Sequence, residues 1–414
     1  MQVLYPIGIY LYLAGIYIAR PFLPKARAWV AGRKDWESHL RTVMAPAITA
    51  GRKVVWVHCA SLGEFEQGRP LIEAVRQKHP STFILLSFFS PSGYEVRKNY
   101  PVADAVCYLP GDTRRNARQF LDITQPSVAI FVKYEFWFHF LQAMRASAIP
   151  AVLISARFRL SQVFFRPYGA WFRKQLDTFQ YLFVQDEESA RVLKTFGMRG
   201  IVCGDTRVDR VMGIAEQKQE FPSIAAFCNG HPTLIAGSTW PPDEQLLALL
   251  CQSADFKGWK LIIAPHDIHE NRVLQVMRNF PGALRYSQYS ADSAPETHVL
   301  IIDNIGMLSN VYRYGRIAWV GGAFGKGLHS ILEPIAFGLP VLFGPRYHNF
   351  REAVELVESG GAQVLHSSKD LQSTWCRWQD ASGYQEASEA ALQYIERQKG
   401  ATAAILQSLN PFFA

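Results

Sequence analysis

Glu64 is the first carboxylate to emerge after the apolar, β-branched run that begins at Val54, and a small-residue turn, Ser61-Leu62-Gly63, leads into it. The residues that follow, Phe65 to Arg76, carry a helix-like pattern, so the run and the turn read as a strand-to-helix corner. Open α/β sheets bind their ligands at the carboxyl ends of strands. A lone carboxylate there is a candidate general base. The same spacing, Ser61-x-x-Glu64, is also that of a capping box. A carboxylate at a helix start is held in its charged form, so cap and base are compatible readings.

A second group of candidates lies in the other half of the chain. The glycine-rich run from Gly321 to Pro340 follows the strand-like Ile317–Val320. Its glycines allow close backbone approach to a ligand, and Ser330 is expected to start a helix whose free N–H groups face a phosphate. Ser330-x-x-Glu333 repeats the capping spacing, and a glutamate there can accept from ribose hydroxyls. Gly-Lys is followed by Gly-Leu instead of Ser or Thr, and no GxGxxG opens a helix after the first strand, which argues against P-loop ATPases and dehydrogenases. His266 and Asp267 stand just past one strand-like run, and Asp303-Asn-Ile305-Gly306-Met307-Leu308 past another. Loops at one sheet edge lie side by side, so His266, Gly306 and the Ser330 helix start can form one pocket.

Lys133, Arg157 and Arg207 follow strand-like runs in the first half and are candidate anion binders, suited to an acidic sugar or a leaving phosphate. No DxD triplet occurs, and no metal is expected.

Two series of strands alternating with helices must position these residues. The first is Val54–Ala60, Thr82–Phe88, Val128–Val132, Ala151–Ile154 and Tyr181–Val184. The second is Thr233–Ala236, Lys260–Ala264, His298–Ile302, Ile317–Val320, Val341–Phe343 and Val364–His366, with a terminal helix over 384–409. Alternation of this kind predicts parallel sheets with crossover helices. The expected fold class is α/β, with GT-B architecture: two facing Rossmann-like domains and a cleft between them. The expected bounds are 1–35 for an N-terminal segment, 36–212 for an acceptor domain, 213–232 for a linker and 233–414 for a donor domain.

The chain has 414 residues, 49% of them hydrophobic, and a formal net charge of +8. Six scattered cysteines without CxxC spacing point to a reducing compartment, with neither structural zinc nor a disulfide framework. No nucleic-acid module is visible, so the basic balance points to an anionic membrane surface or a phosphorylated substrate. Val3 to Ala19 is an uncharged, mostly apolar run followed by Arg20, Lys25, Arg27, Arg33 and Lys34. As a helix it would be about 26 Å long, at the lower limit for a bilayer core of about 30 Å. It lacks the basic start and cleavage site of a signal peptide, and the cations after it would keep the remainder cytoplasmic. The segment is expected to contact the membrane, whether spanning it or lying in its interface. The plainer alternative is a hydrophobic helix packed on the body.

Taken in order, Ser61-Leu-Gly-Glu64, Ser90-Pro-Ser-Gly93, Tyr108-Leu-Pro-Gly-Asp112, Glu135-Phe-Trp137, Ser155-Ala-Arg157 and Gly204-Asp-Thr-Arg-Val-Asp209 resemble the bacterial 3-deoxy-D-manno-octulosonic acid (Kdo) transferases of lipopolysaccharide synthesis. So do Ser238-Thr239, Pro265-His266, Gly-Gly-Ala-Phe324, His329-Ser-Ile-Leu-Glu-Pro334, Gly344-Pro345 and Asn349-Phe350. The resemblance implies a GT-B enzyme at the cytoplasmic face of the inner membrane. It would transfer Kdo from CMP-Kdo to a phosphorylated glycolipid acceptor of the lipid IVA type, with inversion and without metal or cofactor. Glu64 falls on the family's catalytic base. His266-Asp267, Ile305-Gly306-Met307 and Ser330-Ile331-Leu332-Glu333 fall on its CMP-contacting loops. Lys133 and Arg207 fall on positions assigned to charge stabilisation, where the family usually has glutamate and lysine. The first change reverses charge, which leaves Lys133 to hold a carboxylate or phosphate, or Glu135 to take over. Pro265-His266-Asp267 replaces Pro-Arg-His, Met307 an acidic residue and Ser330 an asparagine. The alternatives are another GT-B nucleotide-sugar transferase or epimerase, and a non-catalytic membrane-bound glycolipid-binding protein.

Overall fold

The computed structural model describes residues 4–217, 219–290, 297–325 and 327–413. Val3 of the apolar run, Lys218 of the expected linker and Lys326 of the glycine-rich run lie outside them. The chain divides into two compact units, Met1–Asp209 with Gly400–Ala414, and Arg210–Lys399.

In the first unit the strands are β1 Val54–Cys59, β2 Phe83–Phe88, β3 Ala105–Tyr108, β4 Val128–Val132, β5 Ala151–Ala156, β6 Phe179–Val184 and β7 Gly200–Val202. They form one parallel sheet in the order β3-β2-β1-β4-β5-β6-β7. Every residue of β1, β2, β4 and β5 is buried, as expected of strands covered on both faces by helices. Trp56, Leu85, Phe131 and Leu153 face one core with Leu40, Phe120 and Phe140. Val55, Ile84, Ile130 and Val152 face the other with Phe65, Leu71 and Val75. The chain direction across the sheet reverses between β1 and β4. The loops after those two strands therefore flank the crevice where such sheets bind ligands. Glu64 follows β1, and Lys133 and Glu135 follow β4.

The second unit repeats the plan with β8 Thr233–Thr239, β9 Lys260–Pro265, β10 Leu284–Arg285, β11 Val299–Ile301, β12 Ile317–Val320, β13 Val341–Phe343 and β14 Ala362–Val364. The order is β10-β11-β9-β8-β12-β13-β14, again parallel, with the reversal between β8 and β12. The glycine-rich run follows β12. Both units are thus doubly wound and Rossmann-like, as the GT-B expectation requires. Strands β3, β7 and β10 are absent from the sequence reading because they are two to four residues long and lie at or near sheet edges.

Three boundaries differ from expectation. The terminal helix breaks at Gly400, where φ is +93°, into Ala381–Gln398 and Ala401–Leu409. The second piece joins the first unit: Ile405, Leu406 and Leu409 enter the core beside Phe65, and the Asp209 carboxylate accepts from the N–H groups of Gly400 and Thr402 at 2.6 Å. The expected linker is largely ordered, since helix Pro222–Cys228 within it buries Ile224 and Phe227.

At the N-terminus, helix Leu4–Ala19 and helix Pro24–Ala31 meet at a bend of 114°, and among the described residues no single helix is long and apolar enough to cross a membrane. Leu4, Ile7, Leu11 and Ile18 are exposed. Arg33 does not belong to the expected cationic flank. It is buried against the Trp29 ring, and its guanidinium donates to the carbonyls of Trp29, Phe89 and Leu109.

The first helix is tied down by Tyr5, whose hydroxyl donates to the Asp112 carboxylate at 2.7 Å. Asp112 is buried and also accepts from the N–H groups of His139 and Phe140. Burial raises its pKa to about 6 despite these donors. Because that lies above the ordinary carboxylate value, its stabilising contribution is complete below about pH 4 and is lost as pH rises through about 6. Tyr5→Phe removes one donor from the charged form. It is expected to cost about 1.5–3 kcal/mol at pH 8 and clearly less at pH 5, measured by urea denaturation at both pH values.

Candidate active site

The Glu64 corner begins at Ser61, whose backbone is extended and whose carbonyl accepts the first helical N–H, that of Phe65, at 3.1 Å. Helix Leu62–Lys78 then runs close to the sheet because residue 68 is glycine. A Cβ there would lie 3.0 Å from a Val132 methyl and 3.4 Å from the Cys59 sulfur. Phe65 is fully buried and Glu64 half-buried. The capping box does not form. The Ser61 side chain accepts no backbone N–H, and its hydroxyl instead donates directly to Glu64 Oε2. Oε1 has no hydrogen-bond partner among the described residues. One carboxylate oxygen is therefore oriented and the other keeps its lone pairs, which is what a general base needs.

Behind the corner runs a buried polar chain that the sequence reading missed. Trp56 Nε1–H donates to Ser87 Oγ at 2.7 Å, and Ser87 Oγ lies 2.9 Å from His58 Nδ1. The serine oxygen thus links the indole to the imidazole. His58 Nε2 lies 3.4 Å from Glu135 Oε2 and 3.3 Å from Trp137 Nε1. Trp137 Nε1–H donates to the same carboxylate at 2.7 Å. Glu135 is thus held by the Trp137 indole beside the His58 ring, with 14% of its side chain exposed. Glu64 and Glu135 act on a common neighbour. Burial pushes the Cys59 thiol well up, and Glu64, Glu135 and Glu66 push it further. Cys59 is inert as a nucleophile.

The three expected cations of the first unit have different fates. Arg207 folds back onto Asp205, with Nε at 3.0 Å and the terminal nitrogen at 2.6 Å from Oδ2. Arg157 pairs with Asp186 at 3.1 Å, the carboxylate that also caps helix Glu187–Thr195. Both charges are paired with a carboxylate in the protein. Lys133 is half-buried at the end of β4 with φ +63°, a left-handed backbone costing on the order of 1 kcal/mol for a residue other than glycine. Thr206 joins these pieces: its hydroxyl donates to the Gln67 carbonyl at 2.6 Å and lies 3.2 Å from Ser155 Oγ. Glu64, Lys133 and Glu135 therefore share one strand-end rim, with the Arg207 helix pinned to the Glu64 helix.

In the second unit, the rim is organised by Asp243, fully buried at the start of helix Pro241–Gln252. Its carboxylate accepts from Trp240 N–H at 2.9 Å, Trp319 Nε1–H at 3.1 Å and Gly322 N–H at 3.1 Å. The glycine-rich turn is thereby fastened to the loop after β8. Gly321 is required there, because a Cβ would meet the Ser238 carbonyl at 2.3 Å. Trp240 Nε1–H donates to His329 Nε2 at 3.2 Å, and the exposed His266 ring stacks on both, with centroids 4.7 and 4.5 Å away. Asp267 does not pair with His266; it accepts from the His269 N–H at 3.0 Å.

The other expected donor contacts divide by burial. Ile305 is 86% exposed, and Gly306 beside it has φ +96° with open space around it. Met307, Ile331 and Leu332 are buried, so their side chains serve the core and not a ligand. Ser330 is exposed but is not the cap: Ile331 precedes a single turn, Leu332–Ile335. Glu333 accepts from the Ser309 hydroxyl at 2.7 Å. Among the described residues no group of three or more His, Cys, Asp or Glu is placed to hold a metal ion.

Burial, and then His266, lower the His329 pKa, in keeping with a neutral ring that accepts from Trp240. A lowered pKa means its contribution is present above the ordinary histidine range and is lost as pH falls below about 6.5. The thermal midpoint of the second unit is expected to drop between pH 7.5 and 5.5. His329→Gln, which still offers Trp240 an acceptor, is expected to flatten that drop in a fluorescence-monitored melt.

Residues 34–210 match the family model described as 3-deoxy-D-manno-octulosonic-acid transferase (kdotransferase). The 3-deoxy-D-manno-octulosonic acid transferase of Aquifex aeolicus is 27% identical over 317 residues, covering 74% of this chain and 80% of that protein. The protein of the same name from Bordetella pertussis is 27% identical over 376 residues, 86% of each chain. Over most of its length the chain is therefore similar in sequence to Kdo transferases. The matched residues 34–210 cover most of the unit carrying Glu64, Glu135 and Arg207 and end where the second unit begins, while the match to the Bordetella protein is about twice as long. In fold, the chain is similar to UDP-GlcNAc 2-epimerase from Neisseria meningitidis bound to UDP-GlcNAc, with a TM-score of 0.61 and 16% identity over 87% of this chain and all of that one.

Proposed function

We propose that this protein is a Kdo transferase that moves Kdo from CMP-Kdo to a phosphorylated glycolipid of the lipid IVA type, at the cytoplasmic face of the inner membrane, with inversion and without metal. The observation that carries the proposal is the Glu64 carboxylate, with one oxygen held by Ser61 and the other without a hydrogen-bond partner among the described residues. Glu64 Oε1 takes the proton of the acceptor hydroxyl as that oxygen bonds to the anomeric carbon. The bond from that carbon to the phosphate oxygen breaks, and CMP leaves with the electron pair. Glu135, fixed by His58 and Trp137, polarises the same rim. Lys133 offers the positive charge that an acidic sugar or the leaving phosphate needs. The exposed His266 ring on its Trp240–His329 floor, and the open Ile305-Gly306 turn, are the contacts assigned to the cytidylate.

Nucleotide preference tests the donor half directly. Thermal melting with CMP, UMP, UDP and GDP is expected to show stabilisation by CMP at concentrations where the others have no effect. Stabilisation by UDP alone would favour the epimerase-like alternative that the fold also permits.

A further inference from the structure

A cavity of about 450 Å³ lies in the first unit, where helices Arg114–Thr124 and Phe138–Ala146 contribute Arg114, Arg118, His139, Gln142 and Arg145. We propose that it binds the phosphomonoester of a membrane-lipid headgroup. The proposal extends the acceptor reading above without depending on it, since it concerns binding and not transfer.

Two of the charges are arranged against local helix electrostatics. Arg114 occupies the first position of its helix, at the positive end of the dipole, and Arg118 lies one turn on, at the spacing where like charges repel. Arg145 adds a third guanidinium from the other helix. None of the three has an ion pair or hydrogen bond among the described residues, whereas neighbouring Arg115 reaches Glu37 at 3.9 Å. The nearby Asp112 carboxylate does not neutralise them: it is buried and turned inward to Tyr5, His139 and Phe140. His139 lines the cavity while only 3% exposed, and its Nδ1 has no partner. Burial and Arg114 lower its pKa to about 4, so it stands there as a neutral ring. Three uncompensated cations facing one cavity suit an anion of charge near −2, which a phosphomonoester carries at neutral pH and a phosphodiester does not.

The cavity also adjoins the apolar helix. The Tyr5 ring packs on His139 with centroids 5.6 Å apart, so a single side chain touches both the cationic cavity and helix Leu4–Ala19. The exposed Leu4, Ile7 and Leu11 of that helix supply acyl-chain contacts that a free anion has no use for. This continuity selects a lipid as the source of the phosphate.

The test is vesicle co-sedimentation of the full chain with phosphatidylcholine vesicles containing either phosphatidate or phosphatidylglycerol, matched for surface charge. Wild type is expected to bind the phosphatidate vesicles about tenfold more tightly. The triple variant Arg114→Gln, Arg118→Gln, Arg145→Gln is expected to lose that ratio, and Arg115→Gln to keep it. All four positions are exposed, and an unchanged thermal midpoint verifies folding. Equal binding of the two vesicle types by wild type, or a preference that survives in the triple variant, overturns the proposal. Complete displacement by millimolar inorganic phosphate also overturns it, by making the cavity a free-anion site.

Discussion

Glu64→Gln is expected to lower Kdo transfer by about 10²–10⁴-fold while leaving the protein folded. The substitution keeps size and shape, and an amide oxygen still accepts from the Ser61 hydroxyl, so the helix start is preserved. What disappears is the basic lone pair at Oε1, the oxygen without a hydrogen-bond partner among the described residues. Because no donor contact is assigned to Glu64, the loss is expected in kcat, with KM for the donor within about twofold. A purely structural role predicts the opposite pattern, a lowered thermal midpoint and near-normal turnover. Steady-state kinetics and a melt on the same sample separate the two.

Asp243→Ala is expected to cost about 3–5 kcal/mol of stability in the second unit, read by urea denaturation, and to abolish CMP binding with it. The carboxylate is fully buried and accepts three N–H groups, from Trp240, Trp319 and Gly322. Truncation leaves all three donors unsatisfied in the core and releases the glycine-rich turn from the loop after β8. Burial raises the Asp243 pKa while its donors pull it down, so this site is sustained by hydrogen bonds and not by Coulomb pairing. Asp243→Asn keeps an acceptor and is expected to lose roughly half as much.

The central strands were legible because both faces of a parallel sheet are covered, which writes β1, β2, β4 and β5 as continuous apolar runs. Glu64 was legible for a related reason: a strand-to-helix corner follows from local sequence. The rest of the site depends on register. His58 pairs laterally with Ser87 across β1 and β2, and no local pattern marks a strand histidine whose partner lies 29 residues away. Trp240 and His329 are 89 residues apart, though both stood beside quoted motifs. Arg207 stood out as a candidate anion binder, while its pairing with Asp205, two residues before it, is visible only in three dimensions. Met307, Ile331 and Leu332 fell on the expected donor loops, yet only burial distinguishes a loop's ligand-facing side chains from its anchors. Ser61-x-x-Glu64 matched a capping box in spacing, but the serine hydroxyl went to the carboxylate instead of the backbone. Spacing determines which groups can meet, not which of two partners wins.

The most direct measurement incubates the full chain with CMP-Kdo and a lipid IVA-type acceptor and follows the acceptor by mass spectrometry alongside CMP release. The account predicts acceptor molecules heavier by whole Kdo residues, one CMP released per residue added, and no reaction when UDP-sugars replace CMP-Kdo. CMP-Kdo left intact by a folded protein, or sugar transferred from a UDP donor instead, would contradict it.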